Sequence, residues 1–137
     1  HGMAAMASMC RARPAQRRLV LLGQAGDRTD ESVRELARAA WTLAPDRVVI
    51  KEMEHYLRGR RAGEIPALLA DEFSRLGASP DAVALPGSEL DAVRHSLAWS
   101  RPGDLLLVAV HQDRPLVLAL LDRLQASDWQ PGSPLPQ

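Results

Sequence analysis

At 137 residues, 46% of them apolar, the chain supports one compact core and is too short for two ordinary domains. Seventeen basic side chains balance seventeen acidic ones, which removes overall charge as a reason to expect nucleic acid or an anionic membrane as partner. The single cysteine, Cys10, excludes an intramolecular disulfide and a cysteine-based zinc cage, and even an apolar run as long as Leu105 to Val110, which none exceeds, falls far short of the roughly 20 residues of a membrane span, so the expectation is a soluble, cytoplasmic protein.

In chain order, Met3 to Cys10 is rich in Ala and Met and predicts a short helix. Leu19 to Leu22 is the first of four apolar runs without polar alternation, the pattern of strands covered on both faces. A helix follows, with Val33, Leu36, Ala37, Ala40 and Trp41 at i, i+3, i+4, i+7 and i+8 and Thr29 or Asp30 as its N-cap. Val48 to Ile50 is the second strand, and Ile65, Leu68, Leu69, Phe73 and Leu76 form the stripe of the next helix. Val83 to Leu85 is the third strand. Ser88 then caps a helix marked by Leu90, Val93 and Leu97, and Asp91 completes a capping-box pattern with Asp in place of Glu. The fourth strand is Leu105 to Val110, and Val117, Leu120, Leu121 and Leu124 mark the last helix. Alternation of strand and helix predicts a three-layer αβα, Rossmann-like fold with a mostly parallel sheet of about four strands over residues 1–126. Residues 127–137, Pro-rich and poor in apolar side chains, predict a loose, disordered tail.

In open parallel sheets ligands bind beyond the carboxyl ends of the strands. Four polar segments fall there: Gly23 to Arg28, Lys51-Glu52, Pro86-Gly87-Ser88 and His111-Gln112-Asp113. Asp27 can accept from a ribose or an amine, and Arg28 can hold a carboxylate or phosphate with two parallel bonds. The same loop also reads as a plain strand-to-helix turn with a capping carboxylate and a solvated arginine. Arg58, Arg60 and Arg61 crowd around Gly59 on the same predicted rim, as an anion site or as a solvated loop. Of His1, His55, His95 and His111, only His111 is brought to this rim by topology, and His95 reads as a surface helical residue. No histidine pair has zinc-ligand spacing. Trp41 and Trp99 read as packing residues, and Cys10 as a small buried one.

Taken together, Gly-Gln-Ala-Gly-Asp-Arg at 23–28, Asp-Arg-Val-Val-Ile-Lys-Glu at 46–52, Leu-Arg-Gly-Arg at 57–60 and Ala-Trp-Ser-Arg-Pro-Gly-Asp-Leu-Leu-Leu at 98–107 resemble, in order, the C-terminal domain of the Mur ligase family. The version in cyanophycin synthetase is the most similar, and the resemblance covers about residues 1–125. His1-Gly2-Met3 looks like the continuation of the family's Asp-x-Ala-His-Asn-Pro segment, which implies that the family domain's first strand is missing and the domain N-terminally truncated. The resemblance implies the C-terminal lobe of an ATP-dependent, ADP-forming ligase that joins a carboxylate to an amine. ATP would phosphorylate the carboxylate and an amino acid would attack the acyl phosphate, with Mg2+ held mainly by the absent central domain. The implied partners are the missing N-terminal and central domains, an amino acid and a peptide-like acceptor. Gly26, Asp27 and Arg28 would face the nucleotide, and Lys51, Glu52, Arg58, Arg60 and His111 the substrate, with no catalytic residue of its own. His111 and Asp113 match only in part the Lys-Gly-His-Glu of peptidoglycan ligases, and Lys51-Glu52-Met53-Glu54 replaces their Asp-Asn-Pro-Arg, which argues against a muropeptide substrate. The alternatives are a free-standing nucleotide- or anion-binding module and an inactive fragment.

Overall fold

A computed structural model describes residues 2–137. Its elements, in chain order, are α1 (Gly2–Arg11), β1 (Arg18–Leu22), α2 (Asp30–Trp41), β2 (Arg47–Lys51), α3 (Glu64–Arg75), β3 (Val83–Gly87), α4 (Glu89–Trp99), β4 (Leu105–Val108) and α5 (Arg114–Ala126), with single 3-10 turns at Glu54–Tyr56 and Pro80–Ala82. All pairings are parallel, and the strand order is β3-β2-β1-β4.

The period of two along each strand builds the layers. Val20, Leu22, Val48 and Ile50 face one way and meet Val33, Leu36, Ala37 and Ala40 of α2, Ile65, Leu69 and Phe73 of α3, and Ala7 of α1. Leu19, Leu21 and Val49 face the other way and meet Ala92 and Val93 of α4 and Val117, Leu120 and Leu124 of α5. The result is the expected three-layer αβα sandwich. Two successive crossovers carry the chain from β1 outward to β3, and the third returns across the sheet to place β4 on the far side of β1. A reversal of direction at constant right-handedness puts its helix on the opposite face, as α4 is. The reversal falls between β1 and β4, where the loops leaving the two strands part to opposite faces and open a crevice.

The caps follow the expected chemistry. Thr29 accepts from the Ser32 N–H at 3.0 Å, and Ser88 from the Asp91 N–H at 3.2 Å, the forward half of a capping box. Two expectations change. The third strand is an edge strand with Leu85 53% exposed rather than a strand covered on both faces, because the sheet turns back after it. Residues 127–137, expected as a loose tail, fold back on the α4–α5 layer. Trp129 and Leu135 pack against that core cluster, the Trp129 indole N–H donates to the carbonyls of Ser133 and Pro134, and Arg94 donates to the Pro136 carbonyl at 2.6 Å. Prolines at 131, 134 and 136 limit the entropy lost in ordering this segment, and two large apolar side chains suffice to hold it.

The Arg-Pro-Gly-Asp segment at 101–104 sits at the amino end of β4, on the rim opposite the crevice. Asp104 accepts two bonds from Arg17, at 2.6 and 3.2 Å, and one from the Arg101 N–H at 2.8 Å, while the Arg17 guanidinium stacks 3.7 Å from the Trp99 ring centroid. These residues lock the entry of β4 beside β1.

Candidate functional site at the carboxyl rim of the sheet

Lys51 ends β2, and its side chain crosses the end of β1 to reach the exit of β4. Gly23 permits the crossing: a Cβ there would lie 2.6 Å from the Lys51 Cγ and 3.0 Å from its Cε. The ammonium arrives among Glu89 Oε1, the Ala109 carbonyl at 2.7 Å and His111 Nδ1 at 2.8 Å. Both Lys51 and Glu89 have no solvent exposure. Glu89 also accepts the backbone N–H of His111 at 2.7 Å and of Asp113 at 2.8 Å, and Asp113 in turn accepts the Leu90 N–H at 3.1 Å. One buried ion pair thus ties β2, the start of α4 and the loop between β4 and α5 into a single unit.

Burial would raise the Glu89 carboxyl, but the bonds from Lys51 and from the two backbone N–H groups outweigh it and hold the group below the usual carboxylate range. Burial pulls the Lys51 ammonium below the usual lysine value, against the attraction of Glu89. His111 is likewise lowered, by burial first and then by the Lys51 charge. Its side chain nevertheless stays 52% exposed, so one edge of the ring is buried on Lys51 and the other is open.

His111 also lines a cavity of about 250 Å3 in the crevice between β1 and β4, together with Met3 and Met6 of α1, Leu22, Leu36, Leu107 and Gln24 among others. A smaller polar depression of about 100 Å3 is lined by Gln24, Arg28, Ser32, Glu35 and Leu36. Gln24 and Leu36 belong to both, so the two hollows adjoin, one apolar with an imidazole at its wall and one polar with a guanidinium. A comparable groove at the β3 edge, lined by Ala70, Ser74, Pro80 and Leu85, carries no charged group.

The residues expected at this rim sort into free and engaged. Asp27 and Arg28 are exposed, and neither side chain is hydrogen-bonded or ion-paired to another described residue. Gly26 is engaged: its N–H donates to the Tyr56 carbonyl at 2.8 Å, its carbonyl accepts from Arg60, and a Cβ would fall 1.8 Å from the Leu57 oxygen. Arg60 is also consumed, donating to the carbonyls of Gly26 and Arg28 and pairing with Asp30 and Glu64. Glu52 accepts the Gly63 N–H and so caps the entry of α3. Arg58 is exposed in a left-handed backbone conformation, φ 52°, with its guanidinium 5.5 Å from the Tyr56 ring centroid. Lys51 lies in the interior, at the foot of the cavity wall. Glu89 escaped the sequence reading because an acidic residue in a first helical turn is ordinary dipole complement. A lysine ending a buried strand was the available signal, since such a charge requires a carboxylate within reach. His95 is half-buried rather than a surface residue, 2.8 Å from the Arg47 guanidinium at the opposite end of the sheet.

Among the described residues no group of three or more His, Cys, Asp or Glu side chains is arranged to hold a metal ion, and no helix is long and apolar enough to cross a membrane. No protein-family model matches the chain.

Proposed function

We propose that this chain is the C-terminal lobe of an ATP-dependent, ADP-forming carboxylate–amine ligase, closing over the nucleotide and positioning the incoming amino acid. The observation that carries this reading is the pair of adjoining hollows near the reversal point of the strand order, one apolar and the other lined by Arg28, whose side chain is bonded to no other described residue. Such an arginine supplies a guanidinium for a phosphate or carboxylate, and the neighbouring cavity gives room for the rest of a small ligand. Such a lobe contributes positioning and charge neutralisation at the acyl phosphate, while Mg2+ would be held mainly by a central domain that this chain does not contain. Arg58 stands on the acceptor side in this reading. Gly26, Arg60 and Glu52 shape the loops that present Arg28 and cap α3, and Lys51 acts from beneath His111. The test is amino-acid-dependent ADP release by a protein that joins this lobe to its central domain: release that falls at least tenfold in Arg28→Ala supports the reading, and its absence with every amino acid tried refutes it.

A second reading, favoured by the fact that this chain alone forms both hollows, is a free-standing nucleotide- or anion-binding module. It predicts ATP binding by the isolated chain, measured by calorimetry and abolished in Arg28→Ala.

A further inference from the structure

The Lys51 ammonium has three hydrogens and three neighbouring acceptors: Glu89 Oε1, the Ala109 carbonyl and His111 Nδ1. The first two can only accept. With the lysine charged, its contact with the imidazole is a hydrogen bond only if Nδ1 carries no proton, which places the single ring proton of neutral His111 on Nε2. The opposite arrangement, a neutral lysine accepting from an Nδ1–H, would leave the fully buried Glu89 carboxylate without a cation, a costly state. We propose that Lys51 is a positioning residue that fixes His111 as its Nε2–H tautomer, so that the wall of the β1–β4 cavity presents a hydrogen-bond donor and selects ligands bearing an oxygen acceptor on an apolar body.

The geometry disfavours a reversed ring. The His111 backbone N–H is held by Glu89, and the loop beyond it is pinned by the Asp113 N–H on the same carboxylate, so the histidine is anchored on both sides of its Cα. A ring flip would bring a carbon against the ammonium and leave one of its three N–H groups without a partner. Among the described residues, the charged groups that face the ring are Lys51 from β2 and Glu89 from α4, while the Asp113 carboxylate is turned to the Leu90 N–H. The large side chains Met3, Met6, Leu22, Leu36 and Leu107 of the cavity wall are apolar, so among the described residues the imidazole and Gln24 are the polar side chains that meet a ligand. This inference concerns where a proton sits and stands whether or not the chain is a ligase lobe.

Long-range proton–nitrogen spectroscopy of the 15N-labelled chain reads the tautomer directly. The expected spectrum has an unprotonated Nδ1 and a protonated Nε2 at His111, retained in Glu89→Gln, where Lys51 still donates, and lost to a mixture of tautomers in Lys51→Met. Benzoate is then expected to shift His111 Nε2 and the Met3 and Met6 methyl signals and to bind about tenfold tighter than benzylamine, the worth of one charge-assisted hydrogen bond. A protonated Nδ1 in the parent chain overturns the proposal without need of any variant. So does a folded Lys51→Met with an unchanged tautomer, and so does an equal or absent response to the two probes.

Discussion

Replacing Lys51 by Met separates two accounts of this residue. A lysine that only greets a ligand at an exposed rim changes stability by no more than about 0.5 kcal/mol when replaced. The residue found here is fully buried, and its removal strands Glu89, also fully buried, with two backbone N–H donors at 2.7 and 2.8 Å but no cation. Breaking a buried pair from one side costs about 3–5 kcal/mol, and the two surviving donors place Lys51→Met toward the lower end of that range. Glu89→Gln is expected to cost as much or more. It leaves a buried ammonium, and the new amide NH2 faces one of the two N–H groups that the carboxylate accepted. In the double variant Lys51→Met with Glu89→Gln no buried charge remains, so the loss is smaller than the sum of the singles by about 1–3 kcal/mol. Urea unfolding followed by tryptophan fluorescence measures all four corners of the cycle. A Lys51→Met loss below about 1 kcal/mol at unchanged denaturant slope, or singles that add without coupling, would refute the buried-pair account.

Gly23→Ala drives a methyl to 2.6 Å from the Lys51 Cγ and is expected to lower stability by about 1–3 kcal/mol, whereas Gly26→Ala meets the Leu57 carbonyl at 1.8 Å and is expected to reach or exceed the top of that range. Thermal unfolding ranks the two, and the reverse order would contradict the geometry. His95 is lowered from 6.5 by burial and by the Arg47 charge, so it is neutral in both states well above that value. As pH falls through 6.5 the unfolded chain takes up the proton first, and stability drops until the folded-state value is passed. His111 adds in the same direction, and urea midpoints across this window should fall less steeply in His95→Gln. Removing the segment after Ser127 uncovers the surface beneath Trp129 and Leu135 and should cost about 1–3 kcal/mol by the same unfolding assay.

What the sequence made legible is what local periodicity encodes. The four runs centred on Val20, Val49, Ala84 and Leu107 are strands, and the helical stripes of α2, α3, α4 and α5 turn to the core the side chains that the spacing selects, except Leu121 of α5, which is exposed. The rim was legible too, since strand ends in a parallel sheet face one way. The partition of that rim into free and engaged groups was not. Arg60 and Arg28 look alike in sequence, each one or two residues after a glycine, yet one is spent on Asp30, Glu64 and two carbonyls while the other has no partner among the described residues. Three of those four Arg60 contacts reach residues thirty or more positions away, and no local pattern carries them. The proline-rich end misled for a related reason: its composition argues against independent folding, but Trp129 needs only a gap between two helices already folded.

One of the segments that carry the resemblance lies apart from the carboxyl rim. Arg-Pro-Gly-Asp at 101–104 serves the amino end of β4, where Gly103 adopts φ 91° and Asp104 gathers Arg17 and the Arg101 N–H. Its work is to register β4 beside β1, and that pairing creates the crevice at the other end of the same two strands. A distinctive segment therefore contributes to the site through the sheet, without touching it. The converse holds at Gly23, a residue with no motif weight alone, whose missing side chain lets Lys51 pass over β1 to His111. Substitutions at Asp104 should act on stability and on the width of the crevice together, whereas substitutions at Arg28 should spare the fold and act on ligand alone. A parallel fall in stability for Asp104→Asn and Arg28→Ala would show that this division between framework and site is drawn in the wrong place.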